Sequence, residues 1–240
     1  MDGILFSIDF DPVLGKIIQR LNPFMTLVEV DGEEAHAHLP NSGRLQTALH
    51  PGDLAYLRRH ERGPLRKSAY SVFAVQHNDT RVIVDSQFSN ILAREAIERG
   101  LFSDMAGYHV VKENFVVDDD SRVRLDLLLE RDSEKFYMEV KSVTHVVDGA
   151  ALFPDAPTAR GRKHLIQLGL LSRRGFRAGL LFSVQRPDAT VLKPNVEVDP
   201  QFSELLRKAV VDGVKIFTLK SSFQPPKTVR LKANDPVFTF

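Results

Sequence analysis

The chain has 240 residues, 43% of them hydrophobic and 26% charged, a composition ordinary for a soluble globular protein with one large domain or two small ones. It has 32 Lys and Arg against 31 Asp and Glu, so its net charge is +1 and only the distribution of charge can point to a polyanion. It has no cysteine, which excludes disulfides, thiolate nucleophiles and cysteine zinc sites, and fits a cytoplasmic setting.

Met1-Asp2-Gly3-Ile4-Leu5 lacks the basic start and apolar run of a secretory signal. No stretch approaches the ~18 apolar residues of a membrane span, so no membrane partner is expected. Residues 1–85 read as β-rich. Strands are expected at Phe24–Val30, Glu34–Leu39, Leu54–Arg58, Ser71–Gln76 and Arg81–Asp85, with Asp31-Gly32 as a hairpin turn and Pro40-Asn41-Ser42-Gly43 and Pro51-Gly52-Asp53 as breaks. Such a count of short strands suits a small OB-like barrel or a sandwich fragment. The pattern changes near Ser86. Gln87–Arg99 has helical periodicity closed by Gly100, and strands are expected at Arg122–Glu130 and Lys135–Val143. A helix over Thr158–Arg174, a buried strand Ala178–Val184, a helix opened by Asp199-Pro200 and ending near Gly213, and a strand Val214–Leu219 complete an α/β layer over 86–240.

The chemistry concentrates in the hairpin. A turn centred on Asp132-Ser133 sets Asp126 directly opposite Glu139, with Lys141 one step along the same face. Two carboxylates about 5 Å apart repel by roughly 3 kcal/mol at an effective dielectric near 20. A divalent cation reverses that sign, polarises a phosphoryl oxygen and acidifies water, and Lys141 can orient the water or meet developing charge. Asp126 and Glu139 can equally face solvent and pair with Arg124 and Lys141.

Glu95 falls on the same helical stripe as Phe88, Ile91 and Leu92, where a carboxylate needs a partner; a third metal ligand or a supporting role suits it, although Ile97 and Arg99 make the stripe imperfect. In the later helix Arg160, His164 and Gln167 share one face and can reach a phosphate, or can form a solvated polar face. Arg160, Arg162, Lys163, Arg173, Arg174, Arg177 and Arg186 lie in a span without an acid, and Arg58, Arg59, Arg62, Arg66 and Lys67 cluster with only Glu61 opposing. These patches suit non-specific phosphate contacts, or have counter-charges nearby in space. No phosphate-cradling glycine loop and no Gly-x-Ser-x-Gly elbow is present.

Several segments together resemble the sugar fermentation stimulation protein A family. They are His38-Leu39-Pro40-Asn41-Ser42-Gly43, Arg94-Glu95-Ala96-Ile97, Arg124-Leu125-Asp126, Tyr137-Met138-Glu139-Val140-Lys141-Ser142-Val143-Thr144, Leu152-Phe153-Pro154-Asp155-Ala156, Arg160-Gly161 and His164-Leu165. The resemblance runs from residue 20 to about 220. It implies an N-terminal OB-like domain (1–85), a C-terminal PD-(D/E)XK nuclease-like domain (86–240), non-specific DNA binding and a regulatory link to sugar (maltose) metabolism. Asp126, Glu139 and Lys141 match the core nuclease motif and Glu95 the helical acidic position. The family more often has Ser-Arg-Ile-Asp-Phe where this chain has Val-Arg-Leu-Asp-Leu, and the segment after Arg66-Lys67 lacks the usual Pro and Trp. His38 and Asn41 match the family without an assignable role.

The expected protein therefore binds DNA through phosphates. It holds Mg²⁺ or Mn²⁺ on Asp126 and Glu139, supported by Glu95, with Lys141 acting on the attacking water. The basic residues of the first domain, with Arg160, Arg162, Lys163, His164 and Gln167, would hold the backbone. The alternatives are a DNA-binding regulator with an inactive nuclease fold, and a sugar-pathway enzyme that binds a small anionic metabolite.

Overall fold

The computed structural model describes residues 3–61, 68–117 and 122–240. In chain order the elements are β1 (Ile4–Ser7), β2 (Val13–Asn22), β3 (Met25–Val30), β4 (Glu33–His38), β5 (Leu54–Arg59), β6 (Tyr70–His77), β7 (Thr80–Ile83), α1 (Phe88–Glu98), β8 (His109–Val116), β9 (Arg124–Arg131) and β10 (Glu134–Val143). They continue with β11 (Val146–Val147), β12 (Ala150–Phe153), α2 (Ala159–Arg173), β13 (Arg177–Val184), β14 (Val191–Pro194), α3 (Pro200–Val211), β15 (Lys215–Gln224), β16 (Thr228–Ala233) and β17 (Val237–Phe238).

Strands β4-β3-β2-β5-β6 form a sheet that closes on itself through a parallel β4–β6 pairing, Ala37 with Tyr70 and His38 with Ser71. The result is a five-stranded barrel with β7 appended to β6. Alternation fills it: Thr26, Val28 and Val30 of β3 point inward to meet Ile17, Leu57, Val72 and Val75. Asp31 and Gly32 both take positive φ (53° and 82°), as a two-residue hairpin turn requires. Register shifts in β2 after Ile17 and Arg20 bend that strand around the barrel. They also break its alternation, so sequence periodicity does not announce it.

The second sheet has seven strands in the order β1-β16-β15-β13-β10-β9-β8. Its centre, β10-β13-β15, is parallel, with α2 and α3 in the connections. Strand β1 belongs to this sheet, paired antiparallel with β16 across Ile4 and Leu231, although it precedes the barrel in sequence. Strand β8 is an edge strand exposed on most positions, which leaves no hydrophobic period to read. A short third sheet has the order β11-β12-β14-β17.

Helices α2 and α3 have side-chain N-caps. Thr158 accepts from the Gly161 N–H (3.0 Å), and Asp199 from the Phe202 N–H (2.9 Å) with Pro200 at the first turn. Helix α1 covers one face of the large sheet with Phe88, Leu92, Ala96 and Ile97; α2 and α3 cover the other with Leu165, Leu168, Phe202 and Leu206. Barrel and sheet share the first of these cores. Phe73 of β6 meets Phe88 and Phe223 edge-on, with centroids 5.0 and 5.2 Å apart. Each such pair adds ~0.5–1.5 kcal/mol beyond its buried area. No described helix is long and apolar enough to cross a membrane.

Candidate functional site

The β9–β10 hairpin has the register that its sequence implies: Arg131 pairs with Glu134, Leu129 with Phe136 and Leu127 with Met138. The ladder then stops, one step short of the expected Asp126–Glu139 pair. Asp126 Oδ2 accepts the Val140 N–H (2.9 Å), so the carboxylate occupies a place that a ladder bond would need. Leu125 packs with the α2 and α3 core, whereas Leu127 and Leu129 pack with α1. Asp126 thereby comes within reach of α1, where Asn90 Nδ2 donates to Oδ1 (3.1 Å).

Glu139 is 2% exposed on the α2 side. Lys141 Nζ and His164 Nδ1 both converge on its Oε1, and these two nitrogens lie 2.9 Å apart. Arg160 Nε donates to His164 Nε2 (3.4 Å), which leaves Nδ1–H to face Glu139. Glu139 Oε2 is buried without a hydrogen-bond partner. Burial alone would raise the Glu139 carboxyl, but Lys141 and His164 outweigh it and hold the group below its ordinary value. Asp126 goes the other way: burial and the neighbouring Glu139 charge push it up to about 6, against Lys141 and its two hydrogen bonds. Asp126, Glu139 and Lys141 line one cavity of about 530 Å³ with Arg160 at its edge.

The barrel closes this cavity. Asn41, Ser42 and Gly43 line its far side. Arg20 donates to the carbonyls of Asn41 (3.2 Å), Gly43 (2.7 Å) and Arg44 (2.7 Å). Asp155 Oδ2 accepts the Arg44 and Leu45 N–H groups (2.7 and 3.3 Å). Asn41 gives Nδ2–H to the Val84 carbonyl (2.9 Å) and accepts the Gly43 N–H (2.8 Å). Asn41 is thus a buried clamp in the loop. Asn90, Asp155 and the clamp escape a sequence reading because their partners lie far along the chain. Only the helical spacing of Gln87, Asn90 and Arg94 offers a signal, a polar stripe on α1.

Other expected site residues lie elsewhere. Glu95 is 30% exposed beside Arg94 (3.9 Å), and α1 presents Asn90 to Asp126 instead. Gln167 is buried at 2% exposure. Arg162 is spent on Asp199, with contacts of 2.8 and 2.9 Å to its two oxygens. Arg173 pairs with Asp212, Arg177 with Glu134 (2.6 Å) and Arg186 with Asp188 (2.6 Å). The acid-free span is therefore neutralised largely by acids from outside it. Arg160 and Lys163 stay exposed, and they share a second cleft with Arg122 and Arg124. Arg58 pairs with Asp9 (3.4 Å) and sits over the Phe10 ring (5.0 Å). Arg59 borders a cleft with Glu33 and Glu34, while Arg62, Arg66 and Lys67 lie outside the described residues.

Comparison with known proteins decides the family. The domain described as "Sugar fermentation stimulation protein RE domain" matches residues 87–227, and "SfsA N-terminal OB domain" matches residues 18–84. The chain belongs to the sugar fermentation stimulation protein family. A homolog of that name from Citrifermentans bemidjiense is 39% identical over 224 residues, covering 93% of this chain and 95% of its own. One from Moorella thermoacetica is 40% identical over 214 residues, covering 89% and 91%. Among solved structures, Pyrococcus furiosus SfsA in complex with Ca²⁺ aligns with a TM-score of 0.85 at 26% identity over 96% of both chains. The five-stranded barrel is accordingly the OB domain of this family.

Proposed function

We propose that this protein binds nucleic acid across the junction of barrel and sheet, and that Asp126 and Glu139 form a nuclease-type site for a hard divalent cation. The observation that carries the reading is the pair of buried carboxylates. Glu139 keeps an unpartnered Oε2, and Asp126 is carried up to about 6 by burial and the neighbouring Glu139 charge. Both are oxygen donors of the kind Mg²⁺, Mn²⁺ and Ca²⁺ take. The Ca²⁺ complex of the Pyrococcus furiosus relative supports a cation in this family. When bound, such a cation supplies Lewis-acid polarisation of a phosphate oxygen.

The chain's own groups prepare the remainder. Asn90 and the Val140 N–H orient Asp126, and His164 holds Glu139 in place. The Lys141 ammonium, 14% exposed at the cavity wall, offers positive charge where phosphate would arrive. Arg160 joins the cavity to the cleft of Arg122, Arg124 and Lys163, a basic path for the next phosphates. Glu95 would act only indirectly, through α1. Barrel and sheet serve as one binding unit, with the divide near residue 85 set by composition.

The test is cleavage of single- and double-stranded DNA and of RNA with Mn²⁺ or Mg²⁺, beside binding at several salt concentrations. Wild-type protein is expected to cut at least one substrate, and Asp126→Asn and Glu139→Gln to lose at least ~100-fold. Affinity should fall steeply with salt. Salt-independent binding sinks the nucleic-acid reading. Binding without cleavage by any variant favours a second reading, a regulator whose Lys141 already neutralises Glu139 in place of a metal.

A further inference from the structure

A second cluster lies in the barrel, away from the carboxylate cavity. His50 and Asp53 flank the turn before β5, and His77 begins the β6–β7 hairpin. Gly52 (φ 91°) and Asn78 (φ 52°) make both turns tight, so short backbone segments fix the three side chains. Asp53 is 8% exposed, and His50 and His77 are 37% and 35% exposed. One ligand atom from each residue lies within 4.8 Å of the other two.

The hydrogen bonds decide which atoms are available. His50 Nε2 lies 2.9 Å from the Gln46 carbonyl, which can only accept, so Nε2 carries the proton. The other ring nitrogen, Nδ1, is buried with no hydrogen-bond partner and faces Asp53 Oδ2 at 3.5 Å. In neutral His50 this sets a lone pair against a carboxylate, an arrangement that a metal ion between them, or a second proton on the ring, makes favourable. His77 Nδ1 faces Asp53 Oδ1 at 2.8 Å, and the two imidazoles lie 4.0 Å apart at 31°. The His50 N–H donates to Asp53 Oδ2 (2.8 Å) and steers that carboxylate.

We propose that His50, Asp53 and His77 bind a late first-row divalent cation such as Zn²⁺, which ties the His50–Asp53 turn to the β6–β7 hairpin and locks that end of the barrel. Two imidazoles and one carboxylate suit Zn²⁺ better than Mg²⁺ or Ca²⁺, because nitrogen donors favour the late transition metals. Tetrahedral ligands with bonds of ~2.0–2.1 Å stand about 3.3 Å apart. The His50–Asp53 contact of 3.5 Å is already close to that, and one His77 ring nitrogen lies within 4.8 Å of the other two ligand atoms. The Gln46 carbonyl is the outer partner that fixes the His50 tautomer. Binding takes the His77 Nδ1 lone pair, so the proton of the neutral ring moves to Nε2, and water takes the open fourth position.

Equilibrium dialysis of the full chain against Zn²⁺ in excess Mg²⁺, with bound metal read by mass spectrometry, tests the proposal together with Zn²⁺-dependent melting. Wild type is expected to hold one Zn²⁺ and to melt higher with it. His50→Ala and His77→Ala should each weaken binding at least ~10-fold, or ~1.4 kcal/mol, and lose the melting shift. His77→Gln, which keeps a polar group facing Asp53, serves if an alanine variant fails to fold. His109→Ala, at a histidine 71% exposed, should bind like wild type. Asp126→Asn should also keep Zn²⁺, which separates this site from the carboxylate cavity. Wild-type protein that retains no Zn²⁺, or His50 and His77 variants that retain it as wild type does, overturns the proposal.

Discussion

The carboxylate cavity and the barrel-end cluster treat buried acids differently. At the barrel end Asp53 lies among two imidazoles and a backbone N–H, and the nitrogen donors set the chemistry. In the cavity Glu139 takes the Lys141 ammonium and the His164 Nδ1–H, while Asp126, buried beside the Glu139 charge, rises to about 6. The contrast teaches that burial raises both cavity carboxyls and their charged neighbours set them apart: Lys141 and His164 lower Glu139, whereas the Glu139 charge adds to burial at Asp126. Asp85 is a useful third case. Its carboxylate accepts the Gln87 and Phe88 N–H groups (2.9 and 3.3 Å) at the start of α1, yet burial still raises it to about 6.

Removing the built-in cation should have the largest effect. Lys141→Met leaves Glu139 buried beside His164 alone, and we expect a loss of about 3 kcal/mol in metal-free urea unfolding. Excess Mg²⁺ should recover part of that loss if a metal replaces the lysine charge; no recovery would break the comparison. Asp85→Asn tests burial without a metal role. The wild-type carboxyl gives up its proton more easily in the unfolded chain, so stability should fall as pH rises from 3.8 to about 6. The variant should flatten that slope and be more stable than wild type above it by about 2 kcal/mol, readable in urea titrations across the window.

Arg162→Ala should cost about 2 kcal/mol by unpairing buried Asp199, with nucleic-acid affinity unchanged. Arg160→Ala should leave the melting temperature alone and lower the salt slope of DNA binding by about 1. Reversed outcomes for these neighbours would show that α2 meets nucleic acid through another face. The smallest effect is expected from Asp155→Ala, about 1 kcal/mol, as the Arg44 and Leu45 N–H groups lose their acceptor. Faster proteolysis at the 40–45 loop is its most sensitive readout.

Much of the fold was legible in the amino-acid sequence. The Asp31-Gly32 turn, the cap at Asp199, the Gly175 and Gly213 stops, and the hairpin register up to Leu127–Met138 all follow from local rules: positive φ, a capping oxygen and period-two alternation act over a few residues. The family resemblance was equally legible, because it rests on residue identities. Strands β2 and β8 were not, since bulges break the pattern of one and exposure erases that of the other. Nor was the place of β1, whose partner β16 lies at the opposite end of the chain.

The site divides along the same line. Alternation on the hairpin put Asp126, Glu139 and Lys141 in one neighbourhood, and the structure has all three lining one cavity. Which of them pair was decided by tertiary packing. His164 arrives from α2 to take Glu139, Asn90 from α1 to take Asp126, and the Asn41–Gly43 loop from the barrel to close the far wall. The basic span of α2 and β13 shows the limit most plainly. Its acids, Asp199, Asp212, Glu134 and Asp188, all lie outside the span, so charge counted along the chain overstated the free positive surface. Short-range sterics and alternation are properties of the sequence itself; charge pairing and desolvation depend on distances that exist only once the chain has folded.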